Sequence, residues 1–211
     1  MIDQIVLISF VGSFISLDVM TIWQVMISRP LVTAPVVGWI LGDMGTGIII
    51  GIMLELIWIN VLPIGTVIPP DVSTSAIIAT AQAVLTKQFL PYQHMDVLIM
   101  IAVMWAVPLG VIYKKIDIWL RWFNRHFAHQ VDSFAQSGNT IGIEFITRMS
   151  IAAIFAKTFV FYVIAIWLGV QLTVKVVPVL PHNVKMGLEL ARSLLPALGF
   201  AAVLDIFGSK N

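Results

Sequence analysis

The chain has 211 residues, of which 59% are hydrophobic and 11% charged, and its mean hydropathy is +0.99. That is far too apolar for a water-soluble domain, and it predicts a multi-pass, all-α membrane protein whose residues 1–211 form a single membrane-embedded domain. A net charge of +1 offers no basic surface for nucleic acid, and zero cysteines exclude disulfides, thiolate catalysis and Cys-bearing zinc sites.

The N-terminus, MIDQIVLISF, has no basic leader and no small-residue cleavage pattern, so it reads as the start of the first membrane helix. The apolar run Ile5 to Ile27 is long enough to span once, although Asp18 and Gln24 interrupt it. Asp18 has two readings, a functional group facing the bundle or a polar residue at a kink.

Arg29-Pro30 then breaks the helix, since the residue before proline is pushed out of the α region and proline suits a helix start. In the region 29–85 the apolar pieces, Leu31 to Leu41 and Ile48 to Leu62, fall short of the roughly 20 residues a span needs. Broken or re-entrant helices are expected there. Their connection Gly42-Asp43-Met44-Gly45-Thr46-Gly47 lacks the lysine of a phosphate-cradling loop, and Asp43 reads as a turn or cap residue.

Glu55 sits inside IMLELIWI, where a charge at mid-membrane costs roughly 2.5–3.5 kcal/mol, so it must face protein, water or substrate. Pro63 to Pro70, PIGTVIPP, is irregular backbone that hydrocarbon does not tolerate, which makes it a candidate cavity lining. Asp71 or Ser73 caps a further short helix, Ser73 to Leu85, whose Ser, Thr and Ala content suits burial within a bundle.

Val97 to Tyr113 is the next span, ended by Lys114-Lys115. Ile116, Trp119, Leu120, Phe123, Phe127, Val131 and Phe134 then recur at helical spacing, with Lys115, Arg121, Arg125 and His129 between them. Residues 114–147 therefore form a basic amphipathic interfacial connection, which either rests on lipid headgroups or docks a soluble partner. His126 and His129 are three apart but have no third ligand nearby, so no metal site and no cofactor is expected.

Arg148 opens the following element, with Ile151 to Leu172 as the span. Lys157 lies roughly 14 Å past Arg148 with no counter-charge one turn away, and cross-helix pairing, with Glu55 as one partner, competes with snorkelling. In the last run, Val184 to Phe207, Glu189 and Arg192 are one turn apart and predicted to neutralise each other. Basic residues flanking short loops place 114–148, Arg29 and Lys210 in the cytoplasm, and Lys87, Lys175, Lys185 and the N-terminus outside.

For hydroxyl-rich ligands the polar groups of the broken region converge chemically. Glu55 and Asp71 are acceptors, Thr66 and Ser73 carry hydroxyls, and the backbone at Gly65 offers free amides and carbonyls, as in the discontinuous helices of other transporters. Structural readings stand beside these, with Glu55 a counter-ion and Asp71 a cap. The chain shows no self-contained catalytic site.

The ordered pieces RPL, GDMGTG followed by IIIG, LEL and IGTVIPPD resemble the membrane-embedded IIC subunit of mannose/fructose/sorbose-type sugar phosphotransferase systems. The resemblance extends more loosely from the N-terminus to about Asp205 and matches Glu55, Gly65, Pro70 and Asp71 to signature positions. It implies a bacterial inner-membrane permease subunit that binds and translocates a hexose-type sugar in an oligomeric assembly. It also implies a IID membrane partner, with soluble IIA and IIB carriers that phosphorylate the sugar. Gly45 stands where members often carry lysine and Pro63 where some carry a polar residue, and the sequence stops where members continue into a further hydrophobic region. A rival reading is a non-transporting scaffold or sensor that recruits phosphocarriers.

Overall fold

The computed structural model describes residues 1–18, 24–59, 70–90 and 95–208. Among these the secondary structure is helical: α1 (Ile2–Leu17), α2 (Pro30–Ile40), α3 (Met44–Ile57), α4 (Val72–Thr86), α5 (Met95–Asn124), α6 (Ala128–Gln136), α7 (Thr140–Val179) and α8 (His182–Gly208), with one 3₁₀ turn at Arg125–Phe127. Three of them, α5, α7 and α8, are long and apolar enough to cross a membrane.

The first half is broken as its composition implied, into α2, α3 and α4 of 11, 14 and 15 residues. Pro30 begins α2 and Asp43 caps α3, its carboxylate accepting from the Thr46 amide at 3.1 Å. Gly47 and Gly51 form a small-residue seam: a Cβ on Gly47 would collide with the carbonyl of Ala34, and one on Gly51 would lie 2.7 Å from that of Pro30. The two helices therefore touch backbone to backbone, a geometry that dispersion rewards in lipid, where hydrophobic exclusion contributes nothing.

α4 is the axis of the bundle. Every residue from Ser73 to Thr86 is buried, packed against α1, α2, α3, α5 and α7 in a core that includes Ile8 of α1, Val37 of α2, Leu54 of α3, Ala102 of α5 and Ile166 of α7. Leucine-sized side chains on all its faces would hold these neighbours apart. The outer faces carry Phe10, Trp39, Trp167, Leu198 and Phe200, all exposed, as suits contact with lipid tails.

Several expectations are corrected. The first helix does not run from Ile5 to Ile27. It stops at Leu17, and the carboxylate of Asp18 accepts from the amides of Val25 and Ser28 and the Ser28 hydroxyl at 2.8–3.3 Å, a turn-forming role. Lys114-Lys115 does not interrupt the helix, because α5 continues unbroken to Asn124. The amphipathic connection is shared among the end of α5, the 3₁₀ turn, α6 and the start of α7, which begins at Thr140, ahead of Arg148, where the Asn139 side chain accepts from Gly142 N–H. Arg192 reaches Asp96 at 2.7 Å and not Glu189. Neutralising a charge on a neighbouring helix also ties α8 to α5.

Ion pairs sort the helix ends into two faces. Lys87 to Asp43 at 2.6 Å and the Gln88 amide to Gln4 gather the starts of α1 and α3 and the end of α4 at one face. Chain direction then places the ends of α5, the start of α7 and Arg29 toward the other, which is also where 114–148 concentrates its basic residues. Arg29 thus shares a face with the 114–148 region, the pairing of sides on which the charge-based orientation rests.

Candidate polar site at the broken helices

Starting from the Lys87–Asp43 face, α3 and α4 advance about 21 and 22 Å at the rise of an α-helix, short of the roughly 30 Å hydrocarbon core. The end of α3 and the start of α4 therefore lie at similar depth inside the bundle. A helix terminus there must satisfy its free amides from within the protein. Asp71 does this for α4, with its Oδ1 accepting from Thr74 N–H at 3.0 Å and from the Ser73 hydroxyl at 2.6 Å. One carboxylate thus caps the helix and orients the first hydroxyl of its first turn.

α5 supports this terminus from behind. The Asp71 amide donates to the carbonyl of Gly110 at 3.3 Å, and Ser75 Oγ donates to the carbonyl of Ala106 at 3.2 Å. A Cβ at Gly110 would strike Ser75 Oγ and approach the Asp71 carbonyl to 2.8 Å, so only glycine lets α5 come this close.

Two tyrosines and an ion pair extend the polar zone. The Tyr162 hydroxyl of α7, fully buried, is hydrogen-bonded to Thr74 Oγ1 at 2.9 Å and to Ser16 Oγ of α1, so one phenol joins three helices. Tyr113, one turn beyond Gly110, shares a hydrogen bond with Thr158 at 2.6 Å. One further turn along, Asp117 accepts from Lys157 at 3.0 Å and from Arg121 at 2.9 Å, and the Lys157 ammonium lies 4.3 Å from the centre of the Tyr113 ring.

Glu55 is placed differently from one expectation. Its carboxylate pairs with Arg29 at 3.4 Å and accepts from the Leu31 amide at 3.4 Å, at the entry of α2. Lys157 takes Asp117 as counter-ion, so the proposed Glu55–Lys157 pair is replaced by two separate pairs. α3 and α5 each already carry a cation's partner on the face where that cation arrives.

Of the residues singled out from sequence, Asp71 and Ser73 are brought together and Pro70 immediately precedes them, while Glu55 sits with Arg29. Gly65 and Thr66, with most of the Pro63 to Pro70 stretch, lie outside the described residues. Tyr113, Asp117, Tyr162 and Ser16 were not singled out. The available signal was Gly110, Tyr113, Asp117 and Arg121 at spacings of three and four along one α5 face, and a lone tyrosine in the apolar run of α7.

Short helices ending inside a bundle, a polar zone at those ends and three spanning helices define a polytopic membrane protein of the discontinuous-helix kind. The chain belongs to the family described as the PTS system sorbose-specific IIC component, which it matches over residues 2–211. It is 28% identical over 187 residues to the mannose-specific EIIC component of Escherichia coli strain K12, covering 84% of this chain and 64% of that protein. It is 29% identical over 180 residues to the fructose permease IIC component of Bacillus subtilis strain 168, covering 84% of this chain and 63% of that protein. The chain thus spans a little under two thirds of the length of these relatives. Its fold is similar to a chain in a cryo-EM structure of the mannose transporter ManYZ with microcin E492, with a TM-score of 0.64, 27% identity, and coverage of 98% of this chain and 78% of that one.

Proposed function

We propose that this chain is the sugar-binding and translocating permease subunit of a mannose-family phosphotransferase system in the cytoplasmic membrane of a bacterium. In this reading a hexose-type sugar passes through the polar zone and is delivered to a soluble IIB component, itself recharged by IIA, and the subunit works in an oligomeric assembly with a IID membrane partner. Residues 1–211 act as one membrane-embedded unit, with 29–85 supplying the broken helices and 114–147 facing the cytoplasm.

The observation that carries the reading is the capped start of α4 inside the bundle, where Asp71 and Ser73 meet at 2.6 Å at the depth where α3 ends. A sugar needs fixed acceptors and hydroxyl partners there and an apolar seal elsewhere. Asp71 keeps its second carboxylate oxygen for a sugar hydroxyl, Ser73 and Pro70 shape the same end, and Gly65 and Thr66 complete the site from the preceding stretch. Glu55, held by Arg29, contributes acceptor strength to the neighbouring wall. The subunit supplies binding and passage, and the phosphoryl chemistry resides on its soluble partners.

The test measures hexose binding, with mannose, fructose and sorbose as probes, to the purified full chain with its IID partner, beside thermal stability. Asp71→Asn keeps a capping oxygen and should abolish binding with the melting temperature unchanged. Glu55→Gln should weaken binding in a folded protein. Full sugar affinity in a stable Asp71→Asn protein would overturn the site. Failure of wild-type complexes to bind or take up any hexose, with phosphocarriers still recruited, would favour the scaffold reading.

A further inference from the structure

Where α5 ends at Asn124, the chain folds back through the 3₁₀ turn and α6 onto the start of α7 and leaves a cavity of about 240 Å³. Its walls include Leu120 and Phe123 of α5, Phe127 of the turn, Phe134 of α6 and Phe145 and Met149 of α7. The cavity is built, because a Cβ on Gly142 would lie 2.7 Å from the Phe134 ring, so this glycine lets the ring seat against α7. The sugar-binding reading does not use this space.

We infer that this cavity holds an acyl chain of an anionic phospholipid of the cytoplasmic leaflet. Its volume falls below the range of about 300–1,000 Å³ typical of small-molecule pockets, which suits a slender hydrocarbon chain and is too little for a docked helix. Trp119 and Trp122 are exposed beside it, at 63% and 55%, where indoles anchor to the headgroup region. Residues 114–148 carry five Lys or Arg against three Asp or Glu. Of these, Arg148 is paired with Glu144, whereas exposed Arg125 has no ion pair among the described residues and adjoins cavity-lining Asn124. An anionic headgroup answers that charge while its chain fills the apolar space. Asn124 and Gln130, which also line the cavity, supply amide donors for the ester oxygens.

The experiment incubates the full chain, purified in a neutral detergent, with phosphatidylglycerol or phosphatidylcholine of identical acyl chains, and counts retained lipid by native mass spectrometry. Phosphatidylglycerol should be retained in preference to phosphatidylcholine. Ala153→Trp, which fills the cavity, should remove bound lipid of both kinds. Arg125→Gln should lower phosphatidylglycerol retention about fivefold, the factor expected of one basic residue near an anionic surface, and leave phosphatidylcholine unchanged. Arg125 is exposed, so this variant decides the matter by itself if Ala153→Trp does not fold. Equal retention of the two lipids by the wild type overturns the inference, as does undiminished phosphatidylglycerol retention in Arg125→Gln. Full retention in a folded Ala153→Trp protein overturns the cavity as the acyl site, leaving surface charge as the cause.

Discussion

Lys157 and Asp117 set the cost of charge within this bundle. Lys157 is only 13% exposed at its side chain and Asp117 22%, so removing Asp117 strands the Lys157 charge in a low-dielectric setting, while removing Lys157 leaves Asp117 with one of its two cations. Lys157→Met should destabilise the protein by about 1–3 kcal/mol, less than for a fully buried pair because Arg121 still satisfies Asp117. Adding Asp117→Asn should recover part of the loss, and chemical denaturation of the two single variants and the double reads this coupling directly. Additive losses would place the two groups apart. Tyr162→Phe keeps the packing and deletes the bonds to Ser16 and Thr74, which should cost about 1 kcal/mol by the same measurement, in line with the modest worth of hydrogen bonds between membrane helices.

Among the elements, the α2–α3 hairpin depends on contact that no side chain can imitate. Gly47→Leu would drive a side chain into the backbone of α2 at Ala34 and Pro35, so the hairpin must splay. We expect a loss of more than about 3 kcal/mol or failure to accumulate in the membrane, checked by folded yield after extraction, with exposed Gly45→Leu as the tolerated control. At α4, Asp71→Ala removes the cap and should cost about 1 kcal/mol, whereas Asp71→Asn should cost much less. That difference separates the structural role of Asp71 from its proposed contact with sugar. A thermal melt of the pair beside the wild type is the check.

For the whole molecule, the two faces defined by ion pairs make orientation testable with one substitution. The chain has no native cysteine, so Asn124→Cys gives a single reporter at the end of α5. An impermeant thiol reagent should label it only after the membrane of sealed cells is opened. Labelling of intact cells would invert the topology and move the cavity at α6 to the outer leaflet.

The sequence alone determined the environment and the rhythm of this protein. Its hydropathy required a membrane, and the shortness of the apolar pieces after Pro30 required helices that stop inside it, because hydrocarbon leaves free backbone amides without partners. Asp43 and Asp71 were legible as caps, since a short carboxylate ahead of a helical run has a local chemical role that needs no knowledge of the fold. The basic, aromatic stretch after Lys114 was legible as interfacial for the same local reason. Pairing was not. Lys157 chose Asp117, Glu55 chose Arg29 and Arg192 chose Asp96, because partners for charged side chains in lipid are selected by which helices meet at which depth. Tyr162 entered the polar zone by the same route: only the packing of α1, α4 and α7 brings Ser16 and Thr74, far apart in the chain, to one phenol.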